Sequence, residues 1–503
     1  MSYELSRRQV LKLAGFLSAG TAAVGSVPIV SRFFADRANA QTGTVYIREN
    51  IYTFIQSPQK VEALRRGIQV MKSRPDTNPT SWIYQANMHG IPSGETRRLT
   101  AWRTCQHGTF YFFPWHRMYL YYFERILRQA SGDPNLALPY WNYSDSVEQR
   151  VLPSPFRIPA NSTNPLYSDR GSSINVNQGD PLPEADVRYA DAFQRTNFFH
   201  TTDGGRSFGG RRVTEANANT HRANGYGDLE RRPHNGIHSR IGGLMGSVPT
   251  AARDPIFWLH HANIDRLWER WLRLGGGRAN ATTNSDWMND VFTFFDENGT
   301  QVQLRGRDVL DTAGQLNYLY DDPLSRRNRS VTPSSQSIDT STQQTDTSTQ
   351  QQIAMSANDR QLTIVLSDAP LTLSAPAQDL VRTRALTAES ALTLNITGVE
   401  YNPDNPIPYD IYINLPEGVA PDPYGPYYAG ILSLFSLPQR GTFRLDITST
   451  VRQLQRRSLM TGDFISVTFV PPYRELQQER STQDRQAQLQ GAVRFSGVTL
   501  TRE

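Results

Sequence analysis

Cysteine is almost missing from this chain. Cys105 is the single thiol in 503 residues, so no disulfide can form within one molecule and stability has to come from burial. Lysine is nearly as rare: Lys12, Lys60 and Lys72 are the only lysines among 52 basic residues, the others being arginine. Codon bias explains that without chemistry. An enzyme releasing reactive electrophiles would also gain by it, because amines and thiols attack such products whereas an always-protonated guanidinium does not. Histidine stops at His261, which confines imidazole chemistry to the first half of the chain. No uninterrupted apolar run reaches the roughly 20 residues of a membrane span.

What is present begins with Ser6-Arg7-Arg8-Gln-Val-Leu-Lys12, an apolar stretch and Ala38-Asn-Ala40. Residues 1–40 therefore read as a twin-arginine export signal cleaved after Ala40. The alternative, a membrane anchor, is opposed by the glycines and Pro28 that interrupt the stretch. The mature protein is expected to be periplasmic or secreted, with no membrane association. The formal charge of +5 falls to about +2 once Arg7, Arg8, Lys12, Arg32 and Arg37 leave together with Glu4 and Asp36, so nothing argues for a nucleic-acid partner. The twin-arginine route moves folded proteins, which suits a chain that loads a metal before leaving the cytoplasm.

The remaining length exceeds one ordinary core, and three regions are expected. Residues 41–325 mix helical patterns with long Gly-, Asn- and Arg-rich loops. Helices are predicted over Val61–Met71, over Trp115–Leu127 with Pro114 at its start, through His234–His238, and from Pro255 to Leu272. Residues 326–356 read as a Ser/Thr/Gln-rich linker, in which Asp339-Thr-Ser-Thr-Gln-Gln recurs at Asp346. Residues 357–503 read as β-rich, with strands predicted over 361–367, 392–396, 409–415, 442–447, 464–470 and 492–500 and a loop or exposed helix over 475–490. The fold class is thus a mainly α first domain, a four-helix bundle with long loops, followed by an all-β sandwich.

Most of the nine histidines fall into two groups. The first is His89, then Cys105-Gln-His107, then His116. The second is His234-Asn-Gly-Ile-His238, followed by the adjacent pair His260-His261. His234 and His238 stand four residues apart, which places both rings on one helix face. Neutral imidazole suits zinc, copper, iron and nickel, so donor type leaves the metal open, and a catalytic zinc site is the plain alternative.

Two segments carry a resemblance: His107-Gly-Thr-Phe-Tyr-Phe-Phe-Pro-Trp-His116-Arg and Asp254-Pro-Ile-Phe-Trp-Leu-His260-His261-Ala-Asn-Ile-Asp265-Arg. They resemble the copper-binding regions of the tyrosinase and polyphenol oxidase family, the type 3 dicopper proteins. Ser285-Asp-Trp287-Met, Phe292-Thr-Phe-Phe-Asp-Glu-Asn, Arg307-Asp-Val-Leu-Asp-Thr, Tyr318-Leu-Tyr320 and Pro408-Tyr-Asp-Ile-Tyr-Ile-Asn414 are similar to the plant-type layout. The resemblance implies two copper ions, the first held by His89, His107 and His116, the second by His234, His238 and His261. O2 is the implied co-substrate. Cys105 and His107 match the fungal-type Cys-x-His that forms a thioether, a buried free thiol being the alternative. The plant-type N-terminal disulfides cannot exist here.

The activity implied is oxidation of o-diphenols to o-quinones and hydroxylation of monophenols. Losing the phenolic proton, with an unperturbed pKa near 10, needs a positioned base. Glu230 and Asn235 resemble the Glu and Asn that hold a water for this step, although Glu230 could equally be a surface carboxylate paired with Arg231 or Arg232. Met245, Val248 and Ala262 are expected to line the substrate entrance. His260 and Asp265 are expected to support the ligand rings, with a salt bridge to a neighbouring arginine as the other reading of Asp265. His200 and His221 carry no motif and are assigned to loops or the surface. The C-terminal region is expected to shield the site and keep the enzyme latent until a protease cuts the linker. The alternatives are a catechol or o-aminophenol oxidase without hydroxylation, and a haemocyanin-like O2 carrier.

Overall fold

Each helix starts where the local sequence can start one. The computed structural model describes residues 44–170, 174–202, 205–214, 225–322, 351–354, 362–364, 371–376, 391–403, 406–460, 464–471 and 493–502. The expected export signal, most of the expected linker, the 475–490 segment and His221 lie outside the described residues. Helix α1 (Pro58–Ser73) opens on proline, whose missing N–H is not needed there, and buries Val61, Leu64, Ile68 and Met71 along one stripe. Helix α2 (Trp82–His89) is capped by Ser81, whose hydroxyl accepts from the Tyr84 N–H. Helix α3 (Phe112–Ser131) ends at Gly132, with φ 68°. Helix α4 (Gly236–Ile241) follows a wide π turn, Glu230–Asn235, in which Arg232 is extended and Pro233 has no N–H to give. Helix α5 (Ile256–Arg273) buries every residue from Ile256 to Glu269.

The expected bundle needs one correction. Helix α1 carries no imidazole and supports α3 from outside, at a distance only glycine permits: a Cβ on Gly67 would stand 2.8 Å from Leu127 Cδ1 and 3.0 Å from the Leu127 carbonyl oxygen. His89 comes instead from α2, a helix that no sequence pattern predicts. Seven of the eight α2 residues are buried, so it lacks the polar face that periodicity detects. His107 sits in the loop before α3.

Strand β1 (Tyr46–Arg48) pairs in parallel with β4 (Tyr318–Tyr320), tying the two ends of the helical region together. Strands β2 (Val291–Phe295) and β3 (Gln301–Arg305) form a hairpin. Arg48 donates to Glu124 on α3 at 2.7 Å, and Arg117 donates to Asp265 on α5 at 2.6 Å and to Glu269 at 2.8 Å. Tyr318 and Tyr320 both donate to Asp265 at 2.6 Å. This buried network clamps β1, β4, α3 and α5 around one aromatic-rich core.

After residue 350, strands β5 (Gln351–Ala354), β6 (Leu362–Ile364), β7 (Leu371–Pro376), β8 (Leu392–Val399), β9 (Tyr409–Ile413), β10 (Tyr428–Leu432), β11 (Gly441–Asp446), β12 (Phe464–Val470), β13 (Val493–Phe495) and β14 (Gly497–Arg502) follow. They make two four-stranded sheets, ordered β10-β9-β12-β7 and β11-β8-β14-β5, plus the pair β13-β6. Leu394 and Ile396 from one sheet and Ile411, Val467 and Phe469 from the other enter a second apolar core. Strand β5 lies inside the stretch expected to be linker. Its Gln-Gln-Ile-Ala sequence has no strand pattern of its own and takes its conformation from the antiparallel register with β14. Strands β7 and β10 and helix α6 (Thr448–Arg456) also go beyond the expected elements.

Two aromatic residues cross between the cores. Tyr226 belongs to the second core and its hydroxyl donates to the Ser436 carbonyl, whereas Phe435, from the β10–β11 connection, is 1% exposed and packs in the first core.

Candidate metal centre

Backbone carbonyls orient three imidazoles. His89 Nδ1 donates to the Val248 carbonyl at 2.8 Å, His116 Nδ1 to the Phe112 carbonyl one helical turn back at 2.8 Å, and His238 Nδ1 to the Met245 carbonyl at 2.9 Å. A carbonyl only accepts, so each Nδ1 carries the proton and each Nε2 keeps a lone pair for a metal. His234 Nδ1 meets the Asn235 Oδ1 at 2.8 Å with the same effect.

The donor atoms gather into two buried groups, His89, Cys105, His107 and His116 in one and His234, His238, His260 and His261 in the other, each within 4.8 Å. The groups face each other: the His116 and His261 rings stack with centroids 4.6 Å apart, and His107 and His234 lie 5.8 Å apart. Phe112 and Phe257 fill the spaces between the rings.

The donor set fits a metal ion. His261 Nε2 lies 3.3 Å from both His234 Nε2 and His238 Nε2. With the Nδ1 protons of His234 and His238 fixed as above, the Nε2 lone pairs of both rings point at His261 Nε2. Yet 3.3 Å is about the separation of two imidazole nitrogens that each sit roughly 2 Å from one tetrahedral ion. Burial pushes His234 down to about 3 and His238, His260 and His261 well below the usual imidazole value, keeping the rings neutral and able to ligate.

His260 joins the second group but is held differently: its Nδ1 shares a hydrogen bond with the Tyr143 hydroxyl at 3.0 Å and its ring stacks on His234 at 5.3 Å. Cys105 Sγ stands 3.7 Å from His107 Nδ1 and 3.9 Å from His116 Nε2. Burial first, and then Glu230, push the Cys105 thiol up.

Glu230 is fully buried rather than on the surface. Its Oε1 accepts from the Gly108 N–H at 2.9 Å, beside His107, and its Oε2 has no hydrogen-bond partner among the described residues. Burial raises its pKa well above the carboxylate range, partly opposed by the Gly108 hydrogen bond and Arg231. Asn235 meets His234 Nδ1 through its Oδ1, which also accepts from the Ser436 hydroxyl at 3.5 Å.

Asp265 corrects an expectation. It holds no imidazole; Arg117, Arg48, Tyr318 and Tyr320 occupy its oxygens, so it acts as the centre of the clamp. Ring orientation comes from main-chain carbonyls, which sequence does not display. Met245 and Val248, expected at the entrance, supply two of those carbonyls and are themselves buried, as is Ala262 next to His261. His200 lies apart, bonded to Ser207 Oγ at 2.7 Å.

The residue that sequence reasoning missed is Phe435. Its ring lies parallel to His238 at 3.8 Å with an interplanar angle of 6°, and it contacts His89, His107 and His234 as well. Leu434-Phe435-Ser436-Leu437 resembles any apolar run beside a strand, and no local signal marks it as a segment that reaches the histidines.

Comparison with known proteins agrees with this geometry. The model of the common central domain of tyrosinase matches residues 79–274, that of the polyphenol oxidase middle domain residues 281–332, and a domain of unknown function residues 343–485. A tyrosinase of Hahella sp. (strain CCB-MM4) is 32% identical over 478 residues, covering 84% of this chain and 95% of that protein. A chloroplastic polyphenol oxidase of Malus domestica is 28% identical, covering 86% and 74%. Among solved structures, latent apple tyrosinase shares the fold with TM-score 0.54 at 23% identity, covering 92% of this chain and 97% of that one.

Proposed function

The chain belongs to the tyrosinase and polyphenol oxidase family of copper oxidoreductases, and from that premise we propose that it oxidises o-diphenols to o-quinones with O2 and hydroxylates monophenols. Its cofactor is a pair of copper ions. When bound, that pair supplies O2 activation and electron transfer. In this reading His89, His107 and His116 hold one ion and His234, His238 and His261 the other, while His260 packs against His234 as a neutral ring. Cys105, close to the His107 ring, forms the thioether that fixes that ligand, its S–H and a ring C–H giving up two protons and two electrons to O2, the oxidant of the reaction itself.

The observation that carries the proposal is the parallel ring of Phe435 on His238 at 3.8 Å. A flat aromatic ring fits there, so a phenol docks in the same place once Phe435 has left, and the full-length chain is latent. Glu230 takes the phenolic proton with Asn235 beside it. The entrance lined by Met245, Val248 and Ala262 opens as the C-terminal sheets withdraw. The apple protein that shares this fold over nearly its whole length is itself a latent tyrosinase, which supports the same reading here. Export by the twin-arginine leader belongs to the same proposal; among the described residues no helix is long and apolar enough to cross a membrane.

Limited proteolysis of the copper-loaded protein within residues 323–350, ahead of β5, tests the reading. Turnover of a catechol should rise once the second region is released, and tyramine should be hydroxylated after a lag. Unchanged catechol turnover after clean release would remove latency. Catechol oxidation without any product from tyramine would assign a catechol oxidase, and O2 binding without turnover an O2 carrier.

A further inference from the structure

A cleft opens where the 228–236 segment meets β8, β10 and β11, lined by Arg188, Arg206, Arg231, Arg232 and Arg444 together with four carboxylates. Every one of those carboxylates is engaged. Asp186 accepts from Arg240 and Tyr428, each at 2.7 Å. Asp191 pairs with Arg232 at 2.9 Å. Asp228 holds Arg195 at 2.8 Å and Arg206 at 3.3 Å. Asp446 lies 3.5 Å from Arg206 and accepts from the Thr448 N–H at 2.9 Å.

Arg188 and Arg231 form no ion pair among the described residues. Arg231 uses its Nε on the Tyr226 carbonyl at 3.1 Å, and its terminal nitrogens make no hydrogen bond within the described residues. Guanidinium groups held at a partly buried seam without a direct ion-pair partner destabilise it. The mutual repulsion is visible in both: burial and then the neighbouring Arg444 and Arg206 bring Arg231 down to about 10 despite Asp228, and burial with Arg232 lowers Arg188 despite Asp191, Glu184 and Asp446. Excess positive potential in a walled cleft concentrates anions, and a planar guanidinium fork matches an oxyanion.

We propose that this cleft is a binding site for a free tetrahedral oxyanion, phosphate or sulfate, held by Arg188 and Arg231 on the catalytic side with Arg444 of β11 across the seam. The bound anion neutralises the two unmatched charges and fastens the C-terminal sheets to the 228–236 segment. It is separate from the histidine cluster and does not depend on the reaction proposed above.

Calorimetric titration of full-length, copper-loaded protein with sodium phosphate at fixed ionic strength tests this, with thermal unfolding as a second readout. Saturable binding below about 10 mM, competed by sulfate and accompanied by a rising Tm, is expected. Arg188→Gln and Arg231→Gln should each weaken that binding at least tenfold. Both should also unfold at or above the parent temperature in phosphate-free buffer, because an uncompensated charge has gone. Arg188→Lys, which keeps the charge without the fork, should bind between parent and Arg188→Gln. No saturable heat up to that concentration, or binding that both glutamine variants retain in full, would overturn the proposal.

Discussion

Glu230 has one oxygen on the Gly108 N–H and another that accepts nothing among the described residues, and its side chain is fully buried. Burial favours the protonated carboxyl there, so Glu230 acts as a base only when positive charge nearby, from Arg231 and from a bound metal pair, draws it to ionise. That combination suits a base serving one step and idle in others. Glu230→Gln keeps the shape and the Gly108 contact but removes the base, so tyramine hydroxylation should fall by roughly 10²-fold while catechol oxidation changes little. Equal loss with both substrates would show that the residue only supports the His107 loop. Phe435 is the second decisive residue. Phe435→Ala should raise catechol turnover of the uncleaved protein at least tenfold and lower its stability by about 3–5 kcal/mol, because a filled core site becomes a cavity. Copper content, measured alongside, should be unchanged.

At the scale of elements, helix length and amphipathicity decide what the sequence makes legible. Helices α1, α3 and α5 show an apolar stripe over many turns, and their sequences place them to within a few residues. Helix α2 does not, being short and buried nearly all round, although it delivers His89. The π turn before α4 keeps His234 and His238 adjacent, at 4.7 Å, while Pro233 breaks the helical ladder between Glu230 and the first ligand. The two histidine clusters are legible because imidazoles are chemically distinctive. The carbonyls of Val248, Phe112 and Met245 are not, because every residue has one. Asp265 misleads for a related reason: it lies one turn beyond His261, yet its side chain faces Arg117 and β4. Packing between α1 and α3 gives a direct test. Gly67→Ala puts a methyl group 2.8 Å from Leu127 Cδ1 and 3.0 Å from its carbonyl oxygen, a clash that the backbone cannot relieve by rotation. Chemical denaturation should show a loss of about 1–3 kcal/mol, even though alanine is the better helix former.

At the scale of the whole molecule, a cluster of neutral histidines makes stability depend on pH in a definite direction. The unfolded chain protonates its imidazoles near 6.5, whereas burial holds His234 down to about 3 and His238, His260 and His261 well below the usual value. Folded values lie below unfolded ones, so the native state binds fewer protons in the window between them, and stability rises with pH there. The contribution is fully present above about 6.5 and drains away as the pH falls towards 3. Copper-free protein should therefore lose Tm steadily from pH 7 to pH 5, with unfolding coupled to uptake of several protons. Copper competes with those protons, so the loaded protein should start from a higher Tm and then fall more steeply once acid releases the metal. The C-terminal sheets contain no histidine, and after cleavage the released region should show none of this dependence between pH 5 and 7. A copper-free Tm that stays flat over that range would mean that the folded and unfolded chains bind protons alike, and the rings would then be hydrated in the native state.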